Sequence, residues 1–263
     1  MGYDLAFLKE KLKDSPLGAR LIYYQETSST NDEAFSLAMQ GAEEGTAVLA
    51  DGQRRGRGRY RRTWHSPPGE NIYLSVILRP SRPPQEASRI PIFAGVAIAE
   101  TIGRFCSKEV SLKWPNDVLL RSKKVCGILC QSKIADGEIC FIVVGIGLNV
   151  NTRPEDFPDE ISCTATSMSA ETGVCLKRED VIIILFENLA KWYKKLLTTG
   201  FEDIKAAWME KTNMIGKHIK VSCLDEVITG KALGIDDDGS LRLMNESMEM
   251  ITISAGDATV LKE

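Results

Sequence analysis

Apolar and polar positions along the chain first fall into strands interleaved with helices, and later into short alternating strands alone. Residues 4–13 predict a first helix, stopped by Ser15, Pro16 and Gly18. Residues 20–25 predict a strand. Thr30, Asn31, Asp32 and Glu33 then read as a helix start, because acidic residues in a first turn complement its free N–H groups. That helix runs to Met39 and ends at Gly41. Residues 46–50 and 71–78 predict strands, and 86–105 a long helix whose Ala94, Gly95, Ala97 and Ala99 suit close packing on a sheet. Residues 112–114 are extended before Pro115. Hairpin strands follow at 118–120 and 125–133 around 121–124. The next strand, 138–150, is joined through Asp136-Gly137. Two helices close this part, at 178–197 and 201–211.

Gly216 marks a change of character. Residues 219–261 alternate in short runs, with turns at Asp237-Asp238-Gly239, Asn245-Glu246 and Ala255-Gly256-Asp257. A small β-barrel of about fifty residues fits. The whole pattern predicts an α+β chain of two domains, 1–213 and 214–263.

Composition narrows the function classes. The 263 residues are 43% apolar and 26% charged, as in an ordinary soluble protein. A net charge of −3 gives no global pull towards nucleic acid or membranes. The first fifteen residues lack a signal-peptide core and the myristoylation pattern, and the longest aliphatic run, 181–186, is far short of a membrane span. A cytoplasmic protein is expected. The seven cysteines form no CxxC pair and read as buried reduced thiols. The two histidines, His65 and His218, lie far apart, so no zinc site is expected.

Residues 51–70 form a long Gly-, Arg- and Pro-rich loop, and such loops in compact domains tend to be functional. Six arginines fall within residues 54–62. They repel one another until an anion gathers them. Gly56 and Gly58 let backbone N–H groups converge, and guanidinium groups suit phosphate and carboxylate. An anionic ligand, such as a polyphosphate, is expected. A solvated basic loop and an RNA-binding segment are the competing readings.

Residues 113–117 read Lys-Trp-Pro-Asn-Asp, and a hairpin returns Lys124 beside them. Two lysines in one cleft call for a negative partner, phosphate or carboxylate. Taken singly, the same residues also fit a snorkelling lysine, a turn and a solvated hairpin lysine. Gly145-Ile146-Gly147 ends an apolar strand without the spacing of a dinucleotide fingerprint. Asn149 beyond it could read an adenine edge or simply form a turn.

Together these segments resemble the biotin–protein ligase family. The matching stretches are Ser28-Ser29-Thr30-Asn31, Gln53 with Gly56-Arg57-Gly58-Arg59, Trp64, Lys113-Trp114-Pro115-Asn116-Asp117, Lys124 with Gly127-Ile128-Leu129, and Gly145 to Asn149. The resemblance implies an α+β catalytic domain of the class II synthetase and biotin-ligase type, with a mixed sheet and helices, plus a small C-terminal SH3-like barrel. It implies that Ser29, Thr30 and Gln53 hydrogen-bond the biotin head group, with Gly127 letting the backbone approach the biotin ring. Arg57 and Arg59 would fold over biotin and the adenylate. Trp64 and Asn149 would face the adenine. Lys124 would hold the biotin carboxylate and the α-phosphate, and Lys113 and Asp117 would lie near the phosphates and the incoming lysine.

ATP, biotin and Mg²⁺ are then the expected small molecules, and a biotin carboxyl carrier protein or domain the acceptor. A homodimer is left open. About nineteen residues precede the first core strand, too few for the winged helix–turn–helix found in some members, so no operator binding is expected. Arg61 departs from the family, whose loop often ends in glycine there. A lipoate–protein ligase of the same fold is the nearest rival reading, and an RNA- or anion-binding module the rival of another class.

Overall fold

The computed structural model describes residues 2–223 and 226–261. The part of the expected 214–263 unit at 224–225 and 262–263 lies outside the described residues. Helix α1 (Leu5–Leu12) is capped by Asp4, whose side chain accepts the Phe7 N–H. Strand β1 (Leu21–Thr27) leads into α2 (Thr30–Met39), whose first turn holds Asp32 and Glu33, as the sequence predicts. Strands β2 (Ala47–Gln53) and β3 (Ile72–Leu78) are almost wholly buried. Helix α3 (Arg89–Phe105) starts three residues later than expected, because Pro84–Ser88 forms a separate 3₁₀ turn.

Strands β4 (Val110–Lys113), β5 (Asp117–Leu120), β6 (Lys123–Ala135) and β7 (Glu138–Leu148) complete a seven-stranded sheet of order β1-β2-β3-β7-β6-β5-β4. The β1–β2 pair is parallel and the rest are antiparallel, so the sheet is mixed. Two short helices, α4 (Asp159–Ser162) and α5 (Met168–Thr172), were not foreseen. They precede α6 (Arg178–Thr198) and α7 (Glu202–Lys211).

The sheet sorts its neighbours by side. Helices α3 and α6 share the main hydrophobic cluster, with Ile98, Ile102, Leu185 and Phe186 unexposed. The other face carries α2, whose Ala34 and Ala38 meet Val48, Ile77, Phe141 and Val143. This two-sided cover is why β3 reads as a nearly continuous apolar run rather than a clean alternation.

Strands β8 (His218–Cys223), β9 (Glu226–Ile235), β10 (Leu241–Met244), β11 (Met250–Ile253) and β12 (Asp257–Val260) form a second, antiparallel sheet in the order β11-β10-β9-β8-β12. Its Ile219, Val221, Leu241 and Leu243 join the main cluster, so the two sheets share one core. Polar contacts fix the second sheet in place: Trp114 Nε1 donates to Gly239 O at 3.0 Å, Ser88 Oγ to Asp238 O at 2.6 Å and Arg89 Nε to Asp237 O at 2.7 Å. Among the described residues no helix is long and apolar enough to cross a membrane.

Where α1 and α6 meet, the buried Arg178 guanidinium pairs with Asp51 at 2.8 Å and donates to Asn71 O at 3.1 Å. It also lies 4.1 Å from the Tyr3 ring centroid. Burial pushes the Tyr3 hydroxyl far above its usual range, so it stays a donor to Asn71 O. Replacing one partner of such a buried pair strands the other charge. Arg178→Leu is expected to cost about 3–5 kcal/mol in urea unfolding. A loss under about 1 kcal/mol would show that the Asp51 charge is relieved by other means.

Candidate active site

The ends of these elements converge on a cavity of about 390 Å³ beside the carboxyl ends of β1 and β2. Ser29 and Thr30 enter from the start of α2, Gln53 from the end of β2, and Lys113 and Asp117 from the β4–β5 connection. Lys124 and Gly127 lie on β6, Gly147 on β7, and Asn149 just beyond it. Every residue given a site role in the sequence lines this one cavity, Arg57, Arg59 and Trp64 of the loop included, whereas Ser28, Arg54, Arg55, Gly56 and Arg61 do not. The second sheet contributes Asp257, Ala258 and Thr259 from β12, which sequence reasoning did not connect with the site.

Trp64 forms the floor. A Cβ at Gly147 would come within 2.4 Å of Trp64 Nε1, and one at Gly127 within 2.9 Å of its Cζ3. Only glycine therefore allows the indole to lie flat on β6 and β7. The space above Gly127, expected to be open to a ligand, is filled here by the Trp64 ring and the Lys124 side chain. Trp64 Nε1 is buried without a hydrogen-bond partner, a donor left facing the site. Lys124 Nζ lies 5.4 Å from the ring centroid.

Lys124 Nζ also sits 2.6 Å from Asp117 Oδ1. This ion pair is partly buried, with Asp117 the more enclosed partner. The negative partner that the paired lysines required is thus supplied in part by the chain itself. Lys113 makes no hydrogen bond or ion pair among the described residues, and stays available to an anion. The Trp114–Pro115 peptide between them is cis. Asn116 bridges strands, donating from Nδ2 to Ile128 O at 2.6 Å. Asn149 is buried, and its amide donates to Thr166 O at 3.0 Å rather than facing the cavity with its full hydrogen-bonding capacity.

The polar corner is built from α2 and β2. Gln53 Oε1 accepts the Thr30 N–H at 2.9 Å, and Gln53 Nε2 donates to Ser66 Oγ at 3.0 Å. Ser29 is buried, and its hydroxyl makes no hydrogen bond among the described residues.

The arginine loop is not structureless. Gly58 N–H donates to Arg62 O at 2.7 Å and Trp64 N–H to Gly56 O at 2.9 Å, closing a tight hairpin around a turn in which Tyr60 and Arg61 are both left-handed. Arg61 adopts φ 60°, the left-handed conformation that glycine takes without strain, at the position where it departs from the resembling family. The anions that gather the loop are carboxylates of the chain. Arg54 pairs with Glu26 at 2.9 Å, and Arg57 pairs with Asp32. Arg59 and Arg62 both reach Asp257, at 2.9 and 2.8 Å. Arg59 also donates to Gly256 O at 2.9 Å.

The cysteines take no part in this arrangement. Cys106 and Cys126 are buried and Cys130 and Cys223 partly buried, whereas Cys140, Cys163 and Cys175 are exposed, contrary to the expectation that all are buried. Burial pushes the Cys130 thiol up to about 12 and Cys126 higher still, so neither is a ready nucleophile at neutral pH.

The profile of the Biotin/lipoate A/B protein ligase family matches residues 23–149, and that of the Biotin protein ligase C terminal domain matches residues 214–260. The chain is 40% identical over 241 residues to the bifunctional ligase/repressor BirA of Bacillus subtilis, covering 91% of this chain and 74% of that protein. It is 35% identical over 220 residues to the biotin–[acetyl-CoA-carboxylase] ligase of Paracoccus denitrificans, covering 82% of this chain and 91% of that one. In three dimensions it is similar to a biotin protein ligase from Aquifex aeolicus in complex with biotin and ATP. The TM-score is 0.78 at 30% identity, over 93% of this chain and 99% of that one.

If Asp257 holds the loop over the cavity, removing its charge frees Arg59 and Arg62 together. Partly exposed ion pairs contribute about 0.2–1 kcal/mol each. Asp257→Asn is therefore expected to speed hydrogen exchange at the Gly58 and Trp64 amides by roughly three- to tenfold. Unchanged protection would place the loop's stability in its own hairpin.

Proposed function

We propose a function from the premise that the chain belongs to the biotin/lipoate A/B protein ligase family, within its biotin protein ligases. It condenses biotin with ATP to biotinyl-5′-AMP and passes the biotinyl group to a lysine of a biotin carboxyl carrier protein or domain. The observation that carries this reading is the meeting, in one cavity, of an acceptor-rich polar corner and four cations, Arg57, Arg59, Lys113 and Lys124.

A carboxylate does not acylate an amine at neutral pH, because oxide is a poor leaving group. In the first step the biotin carboxylate oxygen attacks the α-phosphorus of ATP, an O–P bond forms and pyrophosphate leaves. The attack brings one anion against another, and the four cations offset the repulsion. Lys124 bridges carboxylate and α-phosphate, releasing Asp117 as it does so. Ser29, Thr30 and Gln53 bind the ureido ring, and Gly127 leaves room on β6 for the Trp64 ring and the Lys124 side chain that wall the pocket. Trp64 and Asn149 form the adenine side. Arg57 and Arg59 close over the mixed anhydride and shield it from water. In the second step the acceptor amine attacks the acyl carbon and AMP leaves. Asp117 orients that amine and takes its proton.

Mg²⁺ would accompany the triphosphate. Among the described residues no group of three or more His, Cys, Asp or Glu side chains could hold a metal ion. We assign residues 1–213 to the catalytic unit and 214–263 to an SH3-like barrel that walls the site through Asp257, and we place the reaction in the cytoplasm.

A pocket that hydrogen-bonds a ureido ring rejects an acid without one, since each buried polar group left unpaired costs about 1–3 kcal/mol. In ATP–pyrophosphate exchange, lipoate and octanoate are expected to be at least about 10²-fold poorer than biotin. Lipoate turnover within about threefold of biotin would move the chain to the lipoate branch of the family. In the same assay Lys124→Ala is expected to slow biotin-dependent exchange by on the order of 10²-fold, with unfolding nearly unchanged. Undiminished exchange in that variant would remove Lys124 from the adenylation step.

A further inference from the structure

We propose that Ser75 and Asn31, which line up behind the polar corner, are positioning residues that make Thr30 and Gln53 a pair of hydrogen-bond acceptors, so that the site selects ligands presenting an N–H donor there. The inference deepens the reading of the site as a ureido pocket and rests on it.

It follows from counting hydrogens. Four oxygens form a row: Gln53 Oε1, Thr30 Oγ1, Ser75 Oγ and Asn31 Oδ1. Their successive separations are 3.2, 2.8 and 2.7 Å. The end atoms are amide oxygens and can only accept. Their identity is fixed by their neighbours. Gln53 Oε1 faces the Thr30 N–H, while Asn31 Nδ2 donates to Leu129 O at 3.1 Å and Gln131 Oε1 at 3.0 Å. Those two donations hold the Asn31 amide in place, and the missing side chain of Gly145 leaves it the room, its Oδ1 lying 1.9 Å from where that Cβ would stand.

Three contacts therefore share two hydroxyl hydrogens, and one contact has none. Hydroxyl hydrogen bonds span about 2.5–3.0 Å. The 3.2 Å Thr30–Gln53 contact falls outside that range, and Gln53 Oε1 already accepts one N–H. Ser75 thus donates to Asn31, and Thr30 donates to Ser75. Thr30 Oγ1 and Gln53 Oε1 then face each other with lone pairs and no hydrogen between them. A ligand N–H placed against the two atoms supplies the missing hydrogen. The unexposed Ser75 is required only to draw the Thr30 hydrogen away from Gln53.

In Ser75→Ala the Thr30 hydrogen turns to Gln53, and the acceptor pair is spent internally. The experiment is calorimetric titration of wild type and Ser75→Ala with biotin and with its two lactam analogues, in which one or the other ureido N–H is replaced by CH₂. Ser75→Ala is expected to weaken biotin by at least about tenfold and one lactam by less than about twofold, a gap on the scale of one hydrogen bond lost. Equal weakening of all three ligands, or an unchanged biotin affinity, overturns the proposal. A second measurement needs no variant. Neutron diffraction from deuterium-exchanged, ligand-free crystals is expected to find the Thr30 deuterium pointing at Ser75 Oγ. A deuterium between Thr30 Oγ1 and Gln53 Oε1 overturns the proposal. Should wild type not bind biotin at all, the ureido reading fails, while the deuterium position still decides the orientation of the row.

Discussion

A loop carrying six arginines in nine residues can lie over a cavity only where negative charge receives it, and the architecture is arranged to supply that charge. Glu26 at the end of β1, Asp32 in the first turn of α2 and Asp257 at the start of β12 each take at least one guanidinium. The carboxylates hold the loop as an anionic ligand would. Because Asp257 belongs to the second sheet, loop position depends on how that sheet is seated. The bonds from Trp114, Ser88 and Arg89 to the 237–239 turn seat it. The shared hydrophobic core then makes the two sheets one mechanical support for the site.

Beneath the loop the same economy of space operates at the strands. Gly127 and Gly147 admit the Trp64 ring, and Gly145 admits the Asn31 amide. The three glycines lie on the central strands β6 and β7, where glycine otherwise weakens a sheet. Each gives up strand packing to let a functional side chain lie against the backbone. Lys124 follows the same logic with charge: it is held by Asp117 at 2.6 Å inside the cavity that both line.

Much of this was legible in the sequence, for identifiable reasons. The bounds of helix α2, Thr30 and Met39, were legible because acidic first-turn residues and Gly41 punctuate it. The β6–β7 hairpin was legible because Asp136-Gly137 is a strong turn signal. Local chemistry brought Lys113, Asp117 and Lys124 to notice, the family resemblance added Ser29, Thr30 and Gln53, and all line one cavity. What escaped notice depends on partners distant in sequence. Asp257 meets Arg59 across 198 positions, and nothing local to Asp257 distinguishes it from a turn aspartate. Ser75 looks like any residue of a buried strand until the fold sets it between Thr30 and Asn31. The short α4 and α5 carry too few turns for a hydrophobic period to register.

Cavity, loop and polar corner all serve one claim, that the chain joins biotin to a carrier lysine through an acyl adenylate. The most direct test is intact-mass measurement of a biotin carboxyl carrier domain after incubation with the protein, ATP and biotin. The expected result is a single biotinyl addition on one lysine, with AMP and pyrophosphate released in equal amounts. A carrier left unmodified, or one that gains lipoyl in place of biotinyl when both acids are supplied, would contradict the account.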